Sequence, residues 1–148
     1  MTNNESTIEV LNDLIQINND RIIGYDNATE NLKDSDDDLK TLFTSFKESS
    51  TENILDLNEA VTEHGGKPVT DTTLLGKVYR GWMDLKSTFT GHDREGVIND
   101  CKGEEKAAQA AYEKALNDTG ELTAEAESLI RNQRTFLIAD KQLVDNLN

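Results

Sequence analysis

The chain is poor in proline, the strongest helix breaker, and in the cysteines that staple a small fold. It has one proline, one cysteine and one tryptophan in 148 residues. A single cysteine excludes an internal disulfide, and with it the small oxidised scaffold. Basic side chains are scarce too: 15 Lys and Arg against 29 Asp and Glu leave a formal charge of −14. Binding nucleic acid means neutralising phosphates with clustered Lys and Arg, so no nucleic-acid partner is expected. The same deficit argues against an anionic membrane surface. The longest uninterrupted apolar run, Phe136 to Ala139, is four residues, against roughly 20 for a membrane-spanning helix. The opening MTNNESTIEV has no basic segment leading into an apolar one, so no signal peptide is expected and the reading is a cytoplasmic protein. There is no P-loop, no GxGxxG, no CxxC and no Ser/His/Asp signature. The sequence therefore speaks to fold far more than to any reaction.

What is present is helical periodicity, in one domain's length of chain. Ile8, Leu11, Ile15, Asn18, Ile22, Tyr25, Thr29 and Leu32 recur at steps of three and four, predicting a first helix over about 7–32 behind a Ser6/Glu9 capping box. A second helix, about 36–64, starts at Ser35/Asp38 and carries Leu39, Leu42, Phe43, Phe46, Asn53, Leu57, Ala60 and Val61. It ends before Gly65, Gly66 and Pro68. The acidic run from Asp34 to Asp38 resembles a calcium loop but has Leu39 and Ser45 where Gly and Glu belong. A shorter helix, about 71–89, displays Leu75, Val78, Trp82, Leu85 and Phe89, with Gly91 stopping it. Asp93 caps a fourth, about 94–118, with Ile98, Cys101, Glu105, Ala108, Tyr112 and Ala115 on one face and a turn at Asn117, Asp118 and Gly120. Thr123 opens a fifth, about 123–147, read as turning Ala126, Leu129, Gln133, Phe136, Asp140, Leu143 and Leu147 inward.

Four of these helices would be roughly 37–45 Å long at 1.5 Å per residue. Short loops make helices 1–2 and 4–5 antiparallel hairpins, joined by one long crossover that holds helix 3. The predicted fold is therefore all-α: a single domain over residues 1–148, a ferritin-like four-helix bundle with a shorter fifth helix on its end or flank. Each long helix carries a polar residue near the middle of its stripe. Asn18, Ser50 or Asn53, Glu105 and Gln133 should meet in one central layer. A dinuclear carboxylate site at that height needs Glu-x-x-His motifs, and the chain has none. His64 and His92 fall at a helix end and in a turn, where surface positions are expected. No metal and no other cofactor is expected, and an amide network fixing helix register is preferred for Asn18, Asn53, Glu105 and Gln133. A modified metal site would have to recruit Glu104, Glu105, Asp20 or Asp56 from the stripe edges; a small polar ligand pocket is a third reading. A buried Glu105 would need an Arg or an amide to compensate it. Cys101 reads as a small buried hydrophobe.

The segment from Arg80 to Leu116, with Arg80, Trp82, Lys86, Gly91, Asp93, Cys101, Glu105 and Tyr112, resembles an uncharacterised bacterial family of ferritin-like four-helix bundles. Leu11 to Ala28 resembles that family's first helix. The resemblance implies the fold and supplies no activity. Its members often carry a His near the end of the last helix and sometimes at the Tyr79 position; here Lys141 and Tyr79 stand there. Two functions follow for test. One is a non-catalytic bundle acting by self-association or protein binding, with Lys77, Arg80 and Lys86 facing the acidic first hairpin of a second copy. Residues 1–63 carry 4 basic and 15 acidic side chains, which makes that hairpin strongly negative. The other is a ferritin-like iron or manganese protein with altered ligands.

Overall fold

The computed structural model describes residues 3–70, 76–86, 88–117 and 122–148. The described chain forms α1 (Asn3–Glu30), α2 (Asp37–Glu63), α3 (Lys77–Leu85), α4 (Arg94–Asn117) and α5 (Ala124–Asp145). A single 3-10 turn at Asp34–Asp36 precedes α2.

Local chemistry sets most of the helix ends. α1 begins at Asn3, so the Ser6/Glu9 box is not its cap; Glu5 lies in the first turn, where the helix dipole favours an acid. Ser35 likewise does not cap α2. Asp36 closes the turn by accepting the Lys33 amide (3.1 Å). Arg94 then donates to Asp36 (3.1 Å) and Asp38 (2.6 Å), tying the first hairpin to the start of α4. That guanidinium holds the Asp38 carboxyl down at about 2, so the acidic run is engaged by an arginine. α2 stops at Gly65, whose φ of 86° is the left-handed region that favours glycine. The Gly65 and Gly66 amides donate to Thr62 and Val61 (both 3.0 Å), a Schellman ending. Asp93 caps α4 through the Gly96 amide (2.8 Å), and Thr123 caps α5 through Ala126 (3.3 Å).

α3 is shorter than its spacing predicts. It ends at Leu85, and Thr88 to Thr90 are not helical. The expected start, including Leu75, lies outside the described residues, as do Asp118 and Gly120. Its first turn is capped from another helix. Asp13 of α1, 2 % exposed, accepts the Gly76 and Tyr79 amides at 3.0 and 3.2 Å. A Cβ at Gly76 would collide with that carboxylate. Asp13→Ala is expected to cost about 1–3 kcal/mol, because it strands buried donors at a helix start. Asp13→Asn should keep most of it. A loss in urea unfolding no larger than a surface change would show that the cap is dispensable.

Cross-helix contacts fix the order. Asn53 meets Asn18 and Arg21 meets Ser50, so α1 and α2 run antiparallel. Asn18 meets Tyr112 and Arg21 meets Glu105, so α1 and α4 do as well. His64 with Thr123 and Asn53 with Gln133 give the same sense for α2–α5, and α5 therefore also runs against α4, which it meets at Tyr112 and Gln133. The hairpins lie side by side, and α2 and α4 are joined by the long crossover. α3 lies on the α1/α4 flank with Val78, Tyr79 and Trp82 buried. The apolar core forms two clusters. One holds Val10 to Ile17, Trp82 and Tyr112; the other holds Tyr25, Phe43, Phe46 and Cys101.

α5 is rotated relative to the expected stripe. Ala126, Ile130, Gln133, Leu137 and Val144 are buried, whereas Phe136 is 66 % and Leu143 53 % exposed. The predicted and observed stripes share residues 126 and 133, with Asp140 half-buried between them, and both step by three and four. The bulk of Phe136 favours the wrong one until α4 and α2 are in place. No helix among the described residues is long and apolar enough to cross a membrane.

Candidate functional site

The expected central layer exists as two layers, one turn apart on α1 and α2 and two turns apart on α4 and α5. The first is made of amides and a phenol. Asn18 donates to the Tyr112 hydroxyl (3.0 Å) and to the Leu14 carbonyl (2.8 Å). Asn53 donates to the Asn18 oxygen (3.2 Å), and Tyr112 donates to Gln133 (2.7 Å). Gln133 closes the ring on the Asn53 carbonyl (3.3 Å). Asn18, Asn53 and Gln133 thus come together, with Tyr112 as the hub. Burial pushes the Tyr112 phenol above its usual range, so it stays a neutral donor.

Glu105 belongs to the second layer. Arg21 grips it with two parallel bonds, Nη2 to Oε1 (2.6 Å) and Nε to Oε2 (3.0 Å). Tyr25 donates to the same Oε2 (2.8 Å). The remaining Arg21 hydrogens go to Ser50 (2.9 Å), the Phe46 carbonyl (3.3 Å) and Asp140 (3.0 Å). All five donors of the guanidinium are therefore used, and its carbon lies 5.1 Å from the Phe46 ring centre and 5.5 Å from that of Tyr25. Arg21 is 1 % exposed. Burial works against its charge, but Glu105 outweighs it and the group stays firmly protonated. Desolvation, then Glu105, pushes the Tyr25 phenol well up.

Sequence reasoning missed Arg21 because an arginine reads as an outward residue. The signal was there: Leu11, Leu14, Asn18, Arg21, Tyr25 and Ala28 form a heptad seam that runs through it, and all are buried. Glu105 needed its cation 84 residues away in sequence.

Glu104 is the exception to this saturation. It is 2 % exposed and lines a cleft of about 120 Å³ with Asp20, Gly24 and Lys86. Desolvation, with Glu105 next to it, raises its carboxyl to about 8. Asp20 accepts from Tyr79 (2.6 Å) and Trp82 (3.0 Å) and sits 3.8 Å from Lys86. Lys86, expected on an outward basic face, is thus beside an acid of its own chain.

The acids proposed for a modified metal site are not gathered. Asp56 lines a separate cleft between α2 and α5, Asp20 and Glu104 face the α3 side, and both Glu105 oxygens are taken. The guanidinium of Arg21 fills the position where ions would need to sit, so the donor set does not fit a dinuclear centre. Among the described residues, no group of three or more His, Cys, Asp and Glu could hold a metal ion. His92 is exposed. His64 is not the free surface residue expected: its ring spans the Ala60 carbonyl (2.6 Å) and the Thr123 hydroxyl (2.7 Å), pinning α2 to the start of α5. Cys101 is buried, and burial followed by Glu105 raises its thiol far above neutrality, which suits packing and opposes a nucleophile.

With this geometry in place, a domain of unknown function, DUF2383, matches residues 6–118. The chain belongs to the DUF2383 family. The match spans α1 to the end of α4, and so takes in Arg21, Glu104, Glu105 and Tyr112; Gln133 and Asp140 lie beyond it. No curated protein and no solved structure matches this DUF2383 chain significantly.

Proposed function

We propose that this DUF2383 protein is a non-catalytic, ferritin-like helical bundle that acts by binding protein, in the first place a second copy of itself, through the outer face of α5. The observation that carries this reading is a second apolar stripe. Leu129, at its inner end, is half-buried and packs against the core, whereas Phe136 is 66 % exposed and Leu143 is 53 % exposed. They repeat at i, i+7 and i+14, the period that matches another helix of the same repeat. The stripe borders a cleft of about 570 Å³ between α2 and α5, with Glu52 and Asp56 on the opposite wall. The hydrogen-bond saturation of the two interior layers supports a locking role for them. The ferritin-like lineage is supported by two side-by-side hairpins and a crossover carrying α3. The metal-protein alternative has no such support, because Arg21 stands among the oxygens it would need.

Light scattering of the full chain at low and high salt tests the proposal. A dimer is expected, tightened by salt, because screening relieves repulsion between two chains of charge −14. Phe136→Asp should leave a monomer at both salts while its melting changes by about 0.5 kcal/mol or less, as for a surface position. A wild-type monomer at high concentration in both conditions sinks the reading.

A further inference from the structure

We propose that the cleft lined by α1, Glu104 of α4 and the side chains of Lys86, Thr88 and Phe89 binds a small primary ammonium ion on a short alkyl chain, with the Glu104 carboxylate as its counter-ion. Glu104 is 98 % withdrawn from solvent (2 % exposed), and among the described residues no hydrogen bond reaches its carboxyl. A carboxyl so placed is neutralised either by a proton or by a cation.

Arg21 and Lys86 favour its charge only through space, and neither pairs with it directly. The five donors of Arg21 are spent on Glu105, Asp140, Ser50 and the Phe46 carbonyl. Lys86 stands 3.8 Å from Asp20 Oδ2, which also takes the Tyr79 hydroxyl and the Trp82 indole. Asp20 is matched, and Glu104 is the one acid on the cleft left over. A ligand must therefore bring a single positive charge and hydrogen-bond donors.

Space and walls narrow the class further. The cleft holds about 120 Å³, room for a few heavy atoms. Gly24 lets Phe89 and Glu104 pack onto the α1 backbone at the edge of the cleft: a Cβ there would stand 2.9 Å from the Phe89 ring and 3.1 Å from Glu104 Oε1, and would push the ring out of place. Phe89 and Ile23 form an apolar wall suited to a short alkyl chain and, for the ring, to a cation. Asn27 and Thr88 add polar atoms, so an ammonium's three donors can find partners. A divalent ion wants about six oxygens, and the cleft offers two carboxyls with an ammonium already beside one.

Calorimetric titration of the full chain with ethylammonium chloride at pH 7, in two buffers of different ionisation heat, tests this. Saturable one-to-one binding in the millimolar range is expected for so small a ligand. About one proton should leave per ligand bound, as Glu104 passes from acid to carboxylate. Glu104→Gln has the shape of the protonated acid and keeps the fold, checked by circular dichroism. It should weaken binding roughly ten- to a hundredfold and abolish proton release. Gly24→Ala should weaken binding while each bound ligand still releases its proton. No saturable heat, unchanged affinity in Glu104→Gln, or an equal response to sodium or magnesium chloride would each overturn the proposal.

Discussion

Replacing Arg21 with methionine is expected to lower stability by about 3–5 kcal/mol, the range for breaking a buried ion pair from one side. In a chain of 148 residues that corresponds to a fall in melting temperature of roughly 10 °C. The cause is what remains behind. Glu105 is 1 % exposed and would keep only the Tyr25 hydroxyl; Ser50 and the Phe46 carbonyl would lose their donor, and Asp140 its cation. Arg21→Lys should recover only part of the loss, because an ammonium cannot reproduce the two parallel bonds to Glu105. The double change Arg21→Met with Glu105→Met should regain about 2 kcal/mol or more over the single one, since an apolar pair of similar volume is often neutral. Urea unfolding at neutral pH measures all three. If Arg21→Met costs no more than the exposed Arg131→Met, the guanidinium is not what holds this layer.

The second large effect is on pH dependence. Glu104 has its carboxyl raised from an ordinary 4.5 to about 8 by burial and by Glu105. The folded state therefore holds a proton that the unfolded chain gives up. The stability this contributes is complete below pH 4.5, declines as pH rises, and is gone once pH passes 8. Gln at this position titrates nowhere. The stability of Glu104→Gln relative to the natural chain should rise by about 3–5 kcal/mol between pH 4.5 and 9. Comparing variant with natural chain cancels the other acids, Asp13 and Asp140 among them, which burial also raises. A difference that stays flat across that range would mean Glu104 is ionised throughout.

How legible this was in the sequence varies by residue, and for physical reasons. Helix ends governed by local capping were readable: Gly65, Asp93 and Thr123 act within four residues of themselves. α3 was not, because its cap is Asp13, 63 residues from Gly76. Mid-height amides were readable on their stripes, and Asn18, Asn53 and Gln133 do meet, but Tyr112 as their hub was not. The orientation of α5 could not be settled from spacing, since residues 130, 137 and 144 and residues 129, 136 and 143 make equally regular stripes. Burial of the first of these stripes leaves Phe136 on the surface, where the proposed binding face lies.

An all-helical chain, four long helices placed to within a few residues and a polar band at their midpoints follow from local sequence alone, because helix propensity, capping and periodicity act over one or two turns. Packing in three dimensions sets which polar groups pair, that Arg21 bonds Glu105 and not its neighbour Glu104, and which stripe of α5 faces out. Those outcomes depend on how side chains from distant segments are stacked in register, and on which charges the packing cuts off from water.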